Sequence, residues 1–318
     1  MIVDIPELVS RLMPGLLGNA PVSVASVWTA QPKYLVFGDD HERPACVIQV
    51  GPRLDLERLH SVLTRLHGLL PDVVAEPLFC GPAPWGGCDY VQIQTGLQAT
   101  PWFRLTSLHR SSSGWARLRE RALATLLRFH IAVSDVPDWF DWIHPGDELR
   151  RESTLCVAHG TSFSSRAEDC IASSADRLDR LGSIRSHWQH GDYCLNNLII
   201  SRSGIGIFDL DEFGLTCMPL HDQIGLAHSV TDLAPGGSEP GALQTNLEAC
   251  LQALPDWIDP SMHCGGFYLH HLLWRINRCH GKPTRERTRH FLESTLESFA
   301  SSPLTHFSLP RAATACAC

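Results

Sequence analysis

Apolar residues at positions 5, 8, 9, 12, 13 and 16 repeat with a helical period, so the chain should open with a short amphipathic helix, ended by Pro14 and Gly18. From Pro21 the period changes to that of strands. Val22, Val24 and Val27 form one run, Tyr34 to Phe37 a second, and Ala45 to Val50 a third, with Gly38-Asp39-Asp40 as the turn before the third. This predicts an antiparallel meander. Leu54 to Leu70 returns to the helical period, with Asp55 as N-cap, Glu57 in the first turn, and Gly68 and Pro71 near the end. A fourth strand is expected near Val73 to Phe79 and a fifth over Tyr90 to Gln94.

Beyond residue 95 the strand signal fades. Residues 97 to 114 read as a connector ending in Ser111-Ser112-Ser113-Gly114, and a strong helix follows from Trp115 to about Val133. Residues 136 to 165 show no period and are expected to be irregular. A helix is predicted over Arg166 to Leu181, a buried hairpin within 190 to 211, and mainly helices after Asp222, the last two being Phe267 to Cys279 and Arg285 to Phe299. The expected fold is α+β and two-lobed: a small antiparallel β-rich lobe with one helix over 1–95, a hinge over 96–114, and a larger helical lobe over 115–300. Residues 301–318 are expected to fray.

Composition adds limits rather than detail. The chain has 318 residues, 44% of them hydrophobic and 19% charged, within the range of folded soluble proteins. A net charge of -8 argues against nucleic acid as the main partner. No run approaches the ~20 apolar residues that cross a bilayer, and Met1 to Leu17 lacks the basic region of a signal peptide. The 12 cysteines are scattered, with no CxxC pair. They read as reduced thiols of a cytoplasmic protein.

The chemistry concentrates in His190-Gly191-Asp192-Tyr193-Cys194-Leu195-Asn196-Asn197 and its continuation Ile207-Phe208-Asp209-Leu210-Asp211. An Asp and an Asn stand five apart, and a second Asp follows one hairpin later. Phosphoryl transfer needs such a set: one carboxylate to receive a hydroxyl proton, and an amide plus a carboxylate to hold Mg²⁺ against ATP. Together with Pro219-Leu220-His221-Asp222, these motifs resemble the aminoglycoside phosphotransferase and choline kinase-like family, small-molecule kinases with a protein-kinase-like fold. Leu127-Arg128-Phe129-His130 and Gln94-Thr95-Gly96 resemble that family's helix end and its hinge.

The resemblance implies Asp192 as catalytic base, His190 as a holder of its loop, and Asn197 and Asp209 as Mg²⁺ ligands with Asp211 beside them. Asp222 is then a brace for the loop, and Gln94 and Gly96 lie at the ATP hinge. It also marks a departure. The strand lysine that holds the ATP phosphates is replaced by Gln49, and only two lysines exist, Lys33 and Lys282. Lys33, on the neighbouring strand, is the leading substitute and Arg53 a second. Glu57 stands where a helix glutamate would pair with the missing lysine. The phosphate loop, Ala25 to Pro32, has no glycine.

The acceptor is expected on the helical lobe, near Asp141, Trp142, Asp147 and Glu148, or along a helix with Tyr268, His270, His271, Trp274 and Arg275. Carboxylates and aromatic faces would suit a cationic small molecule. The implied activity is ATP- and Mg²⁺-dependent phosphorylation of a hydroxyl on an aminoglycoside, amino alcohol, sugar or natural-product intermediate. Two alternatives stay open: a kinase of a precursor peptide's Ser or Thr, and a kinase-like binding protein without catalysis, the latter motivated by Gln49.

Overall fold

The computed structural model describes residues 5–301 apart from 14, 17–21, 29–31, 41, 85–88, 106–111, 202–203, 235–240 and 252–257. The chain order begins with α1 (Ile5–Leu12), β1 (Ser23–Trp28), β2 (Pro32–Phe37), β3 (Cys46–Pro52), α2 (Arg53–Leu69), β4 (Pro77–Pro82), β5 (Asp89–Thr95) and β6 (Thr100–Pro101). It continues with α3 (Ser112–Ser134), β7 (Phe140–Ile143), α4 (Pro145–Ala158), α5 (Ser165–Asp179), β8 (Ile184–His187), β9 (Leu198–Ile200) and β10 (Ile205–Ile207). Helices α6 (His221–Leu233), α7 (Ala242–Cys250), α8 (Pro260–Cys279) and α9 (Glu286–Ser301) complete it.

Contacts divide the chain into two compact units. The first comprises residues 1–132 and 195–211, the second 133–194 and 212–318. The first is therefore larger than the expected 1–95 segment, because it gathers most of α3 and the β9–β10 hairpin with the strands. The tail after Ser301, most of the β1–β2 turn and most of the 234–241 loop lie outside the described residues.

In the first unit, five antiparallel strands run in the order β1-β2-β3-β5-β4. Cross-strand partners share a face. One face carries Val36, Cys46, Ile48, Val91 and Ile93, and α1 covers it with Ile5, Leu8 and Val9. The opposite face carries Lys33, Gln49 and Gln92 side by side, since Lys33 pairs with Gln49 and Gln49 with Gln92. A second sheet, β10-β9-β6, holds the hairpin, and Val73 and Val74 join it through Ile207. The fourth strand thus starts at Pro77, later than the apolar pattern implied, because Val73 and Val74 are buried against β10 instead. Nor is Asp55 an N-cap: Pro52 precedes α2, and Asp55 lies in its first turn.

The second unit corrects a larger expectation. Residues 136–165 are not irregular but contain β7 and α4. Pro145 sits at the start of α4, where its missing N–H costs nothing, and Asp147 and Glu148 favour the positive helix end. The buried stripe is Pro145, Leu149, Glu152 and Cys156, so a carboxylate occupies an apolar position and masks the period. Glu152 is satisfied there by Asn277 Nδ2 at 2.8 Å and Arg151 Nη2 at 3.1 Å. Strand β8, also unexpected, pairs with β7, and α4 packs on α5 and α8. Trp139, Trp188 and Phe213 form an aromatic cluster with centroids 5.1–5.9 Å apart. Among the described residues nine cysteines are free and no helix is long and apolar enough to cross a membrane.

A glycine tests the join between β3 and β5. A Cβ at Gly96 would lie 1.7 Å from the Pro44 carbonyl oxygen, while one at Gly68 in α2 meets nothing within 4 Å. Gly96→Ala should lose ~2 kcal/mol or more in denaturant melts, and Gly68→Ala should gain ~0.5–1 kcal/mol. Equal stability of the two variants would contradict this packing.

Candidate functional site

The loop at 190–194 belongs to the second unit and is built from its backbone outward. Asp222, wholly buried in the first turn of α6, accepts the backbone N–H of His190 at 2.7 Å and of Gly191 at 3.0 Å. The neighbouring His221 Nε2 meets the Gly191 carbonyl at 3.1 Å. Gly191 has φ +88°, and a side chain there would strike the Glu212 carbonyl. The loop therefore needs glycine at this point. His190 is buried, and its Nδ1 accepts the backbone N–H of Asp192 at 3.3 Å. On either side, Gln189 and the 212–216 turn exchange backbone hydrogen bonds of 2.9–3.0 Å.

Asp192 forms an ion pair with Arg275 of α8 through Nη1. Burial pulls the guanidinium pKa down, but the Asp192 charge outweighs it and the net shift is upward. Four histidines surround this arginine's end of α8. His221 and His271 have ring centroids 4.5 Å apart, His228 stacks on His271 at 5.8 Å, and His270 lies 6.3 Å from His221. All four are pushed toward the neutral form, first by burial; for His221, His228 and His271 the Arg275 charge adds to it.

The first unit holds the acidic step. Asn197 is buried in a single helical turn before β9, and its carbonyl receives the Phe208 N–H at 3.1 Å. Asp209 follows β10 in the left-handed region with φ +61°. Lys33 reaches it from β2: its Nζ donates to Asp209 Oδ1 at 2.6 Å and to Asp211 Oδ2 at 3.0 Å. Burial pulls the lysine pKa down, yet the two carboxylates raise it overall. Gln49, directly across the β2–β3 ladder, is buried beside Gln92, whose amide has no partner among the described residues.

Asn197, Asp209 and Asp211 offer oxygen donors that suit a hard cation such as Mg²⁺. The Lys33 ammonium between the two carboxylates already marks a place that holds positive charge. Among the described residues no cluster of three His, Cys, Asp or Glu side chains could hold a metal, and the third donor here is an amide.

The remaining expected residues fall apart from these groups. Glu57 accepts from Arg53 at 2.8 Å on the exposed face of α2. Gly96 donates its N–H to the Ala45 carbonyl, and Gln94 pairs with Val47. Trp142 is 66% exposed on β7, and Asp141 receives the Cys217 thiol at 3.6 Å. Asp147 and Glu148 are already paired, with Arg150 at 3.3 Å and Arg151 at 2.5 Å. His271 is enclosed in the histidine cluster. Sequence reasoning missed Gln92 and His221, and it placed Arg275 with the acceptor, whereas its partner is Asp192. A buried glutamine at matching register in two apolar strands was the available signal for Gln92.

Comparison with known proteins decides the family. A model described as the phosphotransferase enzyme family matches residues 31–253. The chain belongs to that family. The phosphotransferase has no match among curated proteins. Its fold is similar to that of a thermostable mutant of aminoglycoside phosphotransferase APH(4)-Ia, in ternary complex with AMP-PNP and hygromycin B. That likeness has a TM-score of 0.62 at 12% identity, covering 96% of this chain and 100% of the other. It is also similar to aminoglycoside phosphotransferase APH(3'')-Id from Streptomyces rimosus ATCC10970, in complex with ADP and streptomycin. There the TM-score is 0.53 at 17% identity, over 86% of this chain and 99% of the other. The α+β fold with an antiparallel five-stranded sheet is shared with these kinases.

The histidine cluster sets a pH dependence. His221 and His228 are lowered to about 4 from an unfolded value of ~6.5. Between those values the unfolded chain binds more protons, so stability rises with pH. The contribution is fully present above ~6.5 and is lost as pH falls toward 4, by up to ~1.4 kcal/mol per pH unit for each group. Denaturant midpoints should fall steeply from pH 6.5 to 4.5, and His228→Gln should flatten that fall; an unchanged slope would place His228 outside the cluster.

Proposed function

We propose that this phosphotransferase transfers the γ-phosphate of ATP to a hydroxyl of a small molecule, with Lys33 in place of the lysine absent at position 49. The observation that carries this reading is the Lys33 side chain. It stands beside Gln49 on the same sheet face and reaches the carboxylate of Asp209. An ammonium so placed can hold phosphate oxygens as a point charge, which the neutral Gln49 amide cannot. The nucleotide-bound relatives support ATP as the donor, and the oxygen donors of Asn197, Asp209 and Asp211 support Mg²⁺.

In this reading Asn197 and Asp209 hold the metal, with Asp211 beside them. Bound Mg²⁺ would supply charge neutralisation along the phosphates. Asp192 orients the acceptor hydroxyl and receives its proton as the phosphoryl group leaves ADP. Arg275 pairs with that carboxylate and fixes its direction, while Asp222 and His221 hold the loop backbone. Gln94 and Gly96 lie at the hinge that would receive the adenine. The neighbours that bind hygromycin B and streptomycin support a polyhydroxylated acceptor. Asp147 and Glu148 are occupied by arginines, so an acceptor here need not be a polycation.

Calorimetry with ATP and Mg²⁺ tests the donor half. Lys33→Ala should weaken binding about tenfold or more, and Asp209→Ala should abolish its metal dependence. Complete absence of metal-dependent ATP binding in the wild type would leave the kinase-like binding protein as the better account.

Turnover tests the acceptor half. ATP consumption should be measured against aminoglycosides, amino alcohols, sugars and short peptides. With the acceptor in hand, Asp192→Ala should lower kcat by ~10²–10⁴ with ATP affinity little changed. Equal losses of turnover and affinity would assign Asp192 to folding.

A further inference from the structure

The first unit contains an open cavity of about 830 Å³, with Arg43, Arg117 and Arg121 exposed at its surface, that plays no part in the site described above. Its walls come from Arg43 after β2, from Gln98, Thr100 and Leu105 around β6, from Arg117 and Arg121 on α3, and from Ile200 and Ser201 at the end of β9. Among the described residues three arginines line it and no Asp or Glu does, in a chain whose net charge is -8.

Arg117 and Arg121 stand four apart on α3, one turn from each other on the same face. Two like charges at that spacing repel. Neither makes an ion pair among the described residues. Arg121 is nevertheless fixed: its Nη2 donates to the Ser201 carbonyl at 2.7 Å and to the Gly204 carbonyl at 3.1 Å. Arg43 has only a 3.9 Å contact with Asp40. The cavity volume is in the range of small-molecule sites, well above what one free phosphate fills.

We propose that this cavity binds a small phosphate ester carrying two or more negative charges. Guanidinium groups suit phosphate because their planar N–H pairs meet two oxygens at once. The hydroxyls of Thr100 and Ser201 supply donors for the rest of such a molecule. The site is also tied to the proposed catalytic machinery within its own unit. Ile200 and Ser201 end the strand that Asn197 leads into, and Thr100 pairs with Ile200. An ester bound there would sit against the β6–β9 pairing.

The test uses the full chain, titrated in a calorimeter with ribose 5-phosphate and with fructose 1,6-bisphosphate as probes. Binding of at least one is expected, stronger for the bisphosphate and weakened by salt. Arg117→Gln is the cleaner variant, since Arg121 also ties down a backbone turn. Arg117→Gln should weaken binding about tenfold, with melting temperature and ATP affinity unchanged. Lys33→Ala should leave ester binding intact, which separates this site from the proposed nucleotide site even if ATP does not bind. No heat with either ester, binding that survives both Arg117→Gln and Arg43→Gln, or binding lost in Lys33→Ala would each overturn the proposal.

Discussion

One ammonium group sets the terms for the acidic step of the first unit. Asp209 and Asp211 stand two residues apart after β10, and both turn a carboxylate toward Lys33. Two carboxylates that close repel. Lys33 relieves that repulsion, and its own burial is offset by the pair it serves. The strand it comes from matters as much as its charge. On β2 it stands across from Gln49, on the same face of the sheet. The buried Gln49–Gln92 row then has room for neutral amides because the cation is already next to it.

The second unit solves the same problem with different parts. Asp192 meets the guanidinium of Arg275, and Asp222 meets two backbone N–H groups at the start of α6. Buried carboxylates persist when cations or amides accept the cost of desolvation. Each acid of the motif therefore has a dedicated partner, and the partners come from β2, α8 and the loop backbone. Asp192 is thus already shared with a planar, permanently charged group.

How far these features could be read from sequence follows the range of the interactions. The 190–222 motif was legible because Gly191, Asp222 and the β9–β10 turn act within about thirty residues of each other. The place of Lys33 on the strand beside Gln49 was legible as well, since hairpin register places neighbouring strands side by side. Helix α4 was hidden because Glu152 fills a core position, made tolerable by Arg151 and by a partner 125 residues away, Asn277. The late start of β4 was hidden for the same reason, as Val73 and Val74 spend their apolar surface on Ile207. The partnership of Arg275 with Asp192 spans 83 residues, and no local pattern encodes it.

The buried histidines belong to that last partnership. A ring nitrogen in an apolar interior already resists a proton, and for His221, His228 and His271 the charge of Arg275 resists it further. The relation works in both directions. A cation among these rings, next to Arg275, would repel the guanidinium that holds Asp192. Holding Asp192 on Arg275 and keeping the cluster neutral are thus one electrostatic requirement, met by the same packing of α6 against α8. Acid would act on it through the unfolded chain, whose histidines take up protons below ~6.5 while His221 and His228 stay neutral in the fold down to about 4.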